Sequence, residues 1–265
     1  MVIGHVDHGK STLMGRLLLD TGAVSQRDID KYVHLSSTSF RCLVTDQRRY
    51  KKQATELGKS SFALAWVMDT GSEERERGVT VDIAQHHFST STADFTILDA
   101  PGHRDFVPNM IGGASMADLA VLVVDANQLE SGMKGQTREH ILLAKACGLS
   151  KVVVAVNKMD STAPEAWSRE VFEQVSGEVV KFLAETGFAK DDVMVVPCSG
   201  LSGENVAKAA SRDGATAWIA EQDSTLLQAL EKSTSSTADE SSVKAPLRLQ
   251  ITDVFRGGVQ NPLSV

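Results

Sequence analysis

The chain has 265 residues, 42% of them hydrophobic and 23% charged, with 27 basic against 34 acidic side chains and a net charge of −7. This is ordinary globular composition with enough apolar material for a sizeable core, and the length allows one domain plus part of a second. The acidic balance, with a pI of about 5.5, excludes broad non-specific nucleic-acid binding but leaves room for docking through particular patches. No apolar run approaches the ~20 residues of a membrane span. The opening MVIGHVDHGK lacks the basic and apolar regions of a secretory leader. Cys42, Cys147 and Cys198 lie far apart with no CxxC, the usage of a reducing compartment, so a cytoplasmic location is expected.

Met1-Val2-Ile3 reads as the end of a strand. It feeds Gly4-His5-Val6-Asp7-His8-Gly9-Lys10-Ser11, which fits the phosphate-wrapping loop G-x-x-x-x-G-K-[ST]. Two glycines let the backbone turn tightly, so that successive N–H groups and a helix N-terminus face a polyphosphate. Lys10 is placed to reach the β- and γ-phosphates and the Ser11 hydroxyl to ligate Mg²⁺. A helix opens over Lys10 to Leu19. Val33 to Tyr50 then has no clear period, and Glu73 to Glu76 reads as a solvated charged turn. His86 and His87 are adjacent on a strand, face opposite sides and cannot pinch one metal.

Phe95–Leu98, Leu119–Val124, Val152–Val156 and Val193–Val196 are strand-like apolar runs, several of them apolar on both faces as buried parallel strands are. Glu165 to Glu185 is the clearest amphipathic helix, with Trp167, Val171, Val175, Val179 and Phe182 on one face. Ser233 to Ser242 reads STSSTADESS, a linker composition, and Pro246 to Ile251 alternates like the first strand of a further domain. Strands alternating with helices predict an α/β fold: a P-loop domain with a mostly parallel central sheet flanked by helices. The predicted division is this P-loop domain over 1–232, a linker over 233–244, and over 245–265 the first strand of a further, truncated β domain.

Three further motifs follow the phosphate loop in order: Asp99-Ala100-Pro101-Gly102-His103, Asn157-Lys158-Met159-Asp160 and Ser199-Gly200-Leu201. Asn157 to Asp160 argues against a P-loop kinase or ATPase. Together with Glu76-Arg77-Gly78-Val79-Thr80 and Gly135-Gln136-Thr137-Arg138-Glu139-His140, these motifs resemble those of translational GTPases of the elongation factor one alpha superfamily. Ser11 to Leu18, Ser199 to Asn205 and Asp253 to Arg256 are most similar to the Hbs-type ribosome-rescue GTPases, partners of Pelota. Phe106 to Gly113 is shared in style with release-factor-three GTPases, the nearest rival.

The resemblance implies a GTP-hydrolysing translation factor that delivers a Pelota-like, tRNA-mimicking protein to stalled ribosomes and works as a monomer with GTP, GDP and Mg²⁺. A release factor or an aminoacyl-tRNA would be the partner under the alternatives. A nucleotide-binding module without useful turnover is the alternative from another class. Nucleotide binding is assigned to Asp7, His8, Gly9, Lys10, Ser11, Thr12, Gly102, Asn157, Lys158, Asp160, Ser199, Gly200 and Leu201. Asp160 would accept from guanine N1–H and N2–H₂, a donor pair that adenine lacks. Ser199 would brace Asp160, the Gly200 N–H would point at guanine O6, and the Lys158 stem would lie along the base. Mg²⁺ would be held by Ser11, by Thr80 and, through water, by Asp99. His103 is the catalytic candidate, positioning the attacking water, with Val6 and Val79 as an apolar gate. His5 reads as a loop-packing residue.

The chain departs from the family pattern at three places. Position 8 is His where eukaryotic relatives carry a smaller residue, few residues precede Gly4, and Val33 to Tyr50 has no counterpart. A translated retained intron is the favoured explanation of that segment and a lineage-specific loop the other. Either way it lies in the approach to switch I.

Overall fold

The structure is a computed structural model that describes residues 1–25, 64–65, 68, 84–99, 111–114, 116–128, 136–210, 214–222 and 224–234. Its strands are β1 (Val2–Ile3), β2 (Ala84–Ser89), β3 (Asp94–Asp99), β4 (Leu119–Asp125), β5 (Lys151–Asn157) and β6 (Val193–Pro197). Its principal helices are α1 (Lys10–Asp20), α2 (Gln136–Ala146), α3 (Arg169–Glu185) and α4 (Leu226–Thr234). The strands form one six-stranded sheet in the order β2-β3-β1-β4-β5-β6. β3, β1, β4, β5 and β6 run parallel, and β2 is an antiparallel edge paired to β3. The expected mostly parallel α/β architecture is therefore the observed one, and each of the four predicted apolar runs is a strand.

The period of two explains how the sheet is covered. Ile3, Leu122, Val124, Val152, Val154 and Val156 face one way and pack with Ile141 of α2 and Phe172, Val175, Val179 and Leu183 of α3. Their neighbours Val2, Val121, Val123, Val153 and Ala155 face the other way, against Leu13, Leu17 and Leu18 of α1 and Leu226, Ala229 and Leu230 of α4. β-Branched side chains on both faces hold the middle of the sheet rigid, so its carboxyl ends form a fixed platform.

Two boundaries differ from the sequence reading. α3 begins at Arg169, four residues later than expected, because Ser168 caps it by accepting the Val171 N–H through its side chain. Trp167 lies outside the helix at φ 61°. The buried stripe is correspondingly Phe172, Val175, Val179 and Leu183, with Val171 and Phe182 at its margins. α4 runs to Thr234, two residues into the expected linker, since Ser233 Oγ donates to Ala229 O and Lys151 Nζ donates to Ser233 O. The segment 33–50, the rest of the linker and the strand after Pro246 lie outside the described residues. Among the described residues no helix is long and apolar enough to cross a membrane.

Candidate functional site

The order of the strands places β1 between β3 and β4, so the chain reverses direction across the sheet at β1. In open α/β sheets that point leaves a crevice outside the strand carboxyl ends. The sequence motifs converge there. Gly4 follows β1, Asp99 ends β3, Asn157 ends β5, and Ser199 stands two residues after the end of β6.

The phosphate loop turns through positive φ at Gly4, Asp7 and Gly9 before α1 starts at Lys10. At Gly9, φ is 83° and a Cβ would sit 2.7 Å from Asn157 Nδ2, so a glycine is required on two counts. Lys10 is 8% exposed, and its Nζ donates to His5 O at 2.9 Å. Burial lowers its pKa, while Asp99 and Asp7 act to raise it. The ammonium thus lies inside its own loop, held by a carbonyl with carboxylates nearby, where an anionic ligand would be favoured. Ser11 Oγ donates to Asp99 Oδ2 at 2.8 Å, and Asp99 is fully buried. A hydroxyl and a carboxylate side by side at the mouth of a phosphate loop form an oxygen donor set suited to a hard divalent cation such as Mg²⁺. Thr12 is half-buried on the first turn of α1, Val6 is half-buried and Asp7 exposed.

Asn157 joins the two sides of the crevice. Its Nδ2 donates to His8 O at 2.9 Å and its Oδ1 accepts the Gly200 N–H at 2.9 Å. One amide therefore ties the phosphate loop to the loop after β6. Lys158 sits at φ 63°, which turns its side chain back over the phosphate loop, where Nζ donates to Asp7 O (2.6 Å) and pairs with Asp125 Oδ2 (2.8 Å). Asp160 stands in the short 3-10 turn Met159–Ser161. Its carboxylate is half-buried near the Cys198 thiol, whose pKa is raised by burial and secondarily by Asp160.

Two expected details are corrected. Ser199 does not brace Asp160 among the described residues. Its buried hydroxyl accepts the Ser202 N–H at 3.1 Å and so holds its own turn. The Gly200 N–H is not aimed at a base, because Asn157 takes it; the neighbouring Leu201 N–H is the open donor of that loop. His5 is a packing residue as expected, with Nδ1 2.6 Å from Val6 O and its ring 5.3 Å from that of His8. His86 and His87 point apart, toward Met68 O and Thr96 Oγ1. Among the described residues no group of three His, Cys, Asp or Glu is arranged to hold a metal. Thr80, Val79, Gly102 and His103 lie outside the described residues, so the gate and the catalytic assignment have no geometry here.

Three residues escaped the sequence reading. Asp125, 2% exposed, accepts from Lys158 Nζ and from the Asn127 N–H. Its place at the carboxyl end of the Leu119–Val124 run was the available signal. Arg16 reaches the carbonyls of Gly200 and Leu201, and nothing in a helical Gly-Arg-Leu-Leu pattern signals that. His140, 2% exposed on α2, sits against the Gly4 backbone; it lay inside a quoted motif but carried no assigned role.

Comparison with known proteins decides the family. Residues 1–236 match the family described as the elongation factor Tu GTP binding domain. The chain belongs to that family. This GTP-binding domain is 42% identical over 261 residues to Protein HBS1 of Drosophila melanogaster, covering 97% of this chain and 35% of that protein. It is 43% identical over 259 residues to Elongation factor 1-alpha of Ignicoccus hospitalis, covering 96% and 53%. The chain thus spans about half or less of the length of these relatives. Among solved structures, sup35 complexed with GDP aligns at a TM-score of 0.56 with 28% identity, over 87% of this chain and 43% of that one. The Saccharomyces cerevisiae Ski7 GTPase-like domain bound to GTP aligns at 0.62 with 22% identity, over 90% and 51%, a likeness of fold. GTP and GDP are the nucleotides of this GTPase family.

Proposed function

We propose that this chain is the nucleotide-dependent switch of a ribosome-rescue factor: it binds GTP, hydrolyses it to GDP, and delivers a Pelota-like, tRNA-mimicking protein to stalled ribosomes. The observation that carries the nucleotide part is the Asn157 amide, bonded at once to His8 O and to the Gly200 N–H. It sets a phosphate-binding loop and a base-binding loop at a fixed separation, with Asp160 three residues further along the chain in the turn Met159–Ser161. The similarity to HBS1 across 97% of this chain supports rescue. The comparable identity to elongation factor 1-alpha favours one second reading, an aminoacyl-tRNA carrier. The expected division into a GTP-binding domain, a linker and, over 245–265, the start of a β-barrel belongs to this proposal, with the end of the first domain moved from 232 to Thr234 by α4, as do a cytoplasmic location and a monomeric state.

In this reading the backbone N–H groups of Asp7 to Thr12 and the Lys10 ammonium bind the phosphates. The Lys10 ammonium would exchange the His5 carbonyl for phosphate oxygen. Ser11 and Thr80, with Asp99 through a water, would hold Mg²⁺, which would supply charge neutralisation at the β- and γ-phosphates. Asp160 would accept from guanine N1–H and N2–H₂, and the Leu201 N–H would meet O6. The Gly102 N–H would bond the γ-phosphate and let switch II pivot on hydrolysis. His103, gated by Val6 and Val79, would orient the attacking water once the ribosome docks. Hydrolysis is then mostly positioning and electrostatics, slow alone and raised ~10³–10⁵-fold by a large partner.

Guanine recognition is tested by titrating GDP and xanthosine diphosphate against wild type and Asp160→Asn. The amide presents a donor where guanine needs an acceptor, so preference should pass to xanthine. Undiminished preference for GDP would remove Asp160 from the site. The catalytic step is tested by single-turnover GTP hydrolysis with and without ribosomes and the Pelota-like partner. His103→Ala should keep its GTP affinity and lose ~10²-fold of the stimulated rate, about 3 kcal/mol. Equal stimulation of both proteins would leave His103 as a packing residue. Stimulation by aminoacyl-tRNA in place of the Pelota-like protein would select the carrier reading.

A further inference from the structure

The loop that carries Gly200 and Leu201 leaves β6 and has to meet a ligand while being anchored at only one end of the sheet. Asn157 fixes its Gly200 N–H, and Ser199 Oγ closes its turn through the Ser202 N–H. Neither contact fixes the Gly200–Leu201 peptide plane that lies between them. Arg16 does. It lies on the second turn of α1, the helix that begins inside the phosphate loop. Its Nε donates to Gly200 O at 3.4 Å, and one terminal guanidinium nitrogen donates to Leu201 O. The same loop presses onto the stem: a Cβ at Gly203 would fall 3.1 Å from Arg16 Cδ and 3.4 Å from Asp20 Oδ2.

A peptide plane has two ends. Holding the Gly200 carbonyl toward α1 turns the N–H of the same plane, which belongs to Leu201, the opposite way. That N–H is the open donor of the loop. A guanidinium, being planar and forked, can take two successive carbonyls at once and so fixes both planes, whereas an ammonium is a single point. We infer that Arg16 is a specificity-positioning residue of the base site: by gripping the Gly200 and Leu201 carbonyls from α1 it aims the Leu201 N–H at an acceptor on position 6 of a purine. This rests on the guanine-nucleotide reading above. It adds that the helix starting at the phosphates also sets the geometry at the base.

The test uses the full 265-residue chain and compares GDP with two analogues. 6-Thio-GDP replaces the position-6 oxygen by a poorer acceptor. IDP lacks the 2-amino group that Asp160 would read. Wild type should prefer GDP to both. Arg16→Ala should bind GDP about tenfold more weakly, having lost both of its charge-assisted bonds to the loop. Its preference for GDP over 6-thio-GDP should shrink toward one, while its preference for GDP over IDP and its Mg²⁺ dependence stay as in wild type. Arg16→Lys keeps the stem and the charge but cannot fork, so it should fold normally and show the same selective loss in smaller measure. Unchanged GDP affinity and an unchanged GDP to 6-thio-GDP ratio in Arg16→Ala would overturn the inference. So would a parallel fall of both ratios in Arg16→Lys, which marks general loosening. If wild type itself fails to prefer GDP to ADP, the guanine reading fails, and the inference fails with it by a separate route.

Discussion

On the phosphate side of the crevice, the loop from Gly4 to Lys10 rests on neutral, buried rings. His8 is fully buried, with Nδ1 3.1 Å from Val123 O, and His140, 2% exposed, hydrogen-bonds the Gly4 backbone from α2. The Val123 carbonyl can only accept, so His8 Nδ1 carries a proton, and burial keeps both imidazoles neutral. On the base side, the loops after β5 and β6 are held by charged, half-exposed groups: Arg16 on the carbonyls of Gly200 and Leu201, and Lys158 between Asp7 O and Asp125. The first kind of support works by excluding water and tolerates no charge. The second works by charge, keeps one flank in solvent, and is screened by salt. A site built this way has a stiff floor for the phosphates and a more adjustable wall for the base. The two halves should respond to different perturbations.

Removing the one group that belongs to both halves should have the largest effect. Asn157→Ala leaves His8 O and the Gly200 N–H buried without their partner, which costs about 2–4 kcal/mol of stability. It also frees the base loop from the phosphate loop, so GDP affinity should fall by roughly 10²-fold or more. Chemical denaturation and GDP titration of the same preparation check both. If GDP affinity falls no further than the loss of stability accounts for by partial unfolding, Asn157 is only a structural residue. Asn157→Asp sharpens the comparison. It keeps the acceptor for the Gly200 N–H and loses the donor to His8 O, so the base loop should hold while the tie to the phosphate loop breaks.

What could be read from the sequence follows the same division. The phosphate loop, the strands beneath it and the Asn157–Asp160 motif were legible because each is a local pattern: a glycine spacing that a polyphosphate demands, or a run of β-branched residues buried on both faces. The helix α3 was legible as a stripe, but its start was not. Ser168 as a cap competes with a pattern that begins at Glu165, and Trp167 belongs to the turn before the helix. The supports were not legible. Arg16 and His140 act on backbone atoms distant in the chain by as many as 185 residues, for Arg16 to Leu201 O, and a carbonyl partner leaves no mark in the sequence; Asp125 meets the Lys158 side chain, 33 residues on. The Gly200 N–H was misassigned for the same reason, since only the fold shows that Asn157 reaches it first.

The floor of the site gives the smaller prediction, and its sign is fixed by burial. Desolvation holds the His8 imidazole down to about 4, a hydrogen bond to Val123 and the Asp125 carboxylate acting the other way and His5 and Lys10 adding to the fall. His140 is also held down to about 4, again chiefly by burial, with Lys10 and His5 adding to it and Glu139 and the Gly4 backbone opposing. In the unfolded chain both rings take a proton near the ordinary value of about 6.5. Between those two values the unfolded state binds more protons than the folded one, so stability rises with pH there. The stabilisation is complete above pH ~6.5 and is lost as the pH falls toward 4, by about 2 kcal/mol per histidine between pH 7.5 and 5. His8→Asn and His140→Gln retain a donor near the ring nitrogen used in each case and cannot titrate. Guanidinium denaturation of wild type and the double variant at pH 7.5 and 5.0 should therefore show a steep pH dependence that the double variant largely lacks. Arg16→Lys, whose change lies on the charged wall, should keep the full wild-type slope. An undiminished slope in the double variant would show that these rings are not what supports the floor, and that its acid sensitivity comes from carboxylates elsewhere.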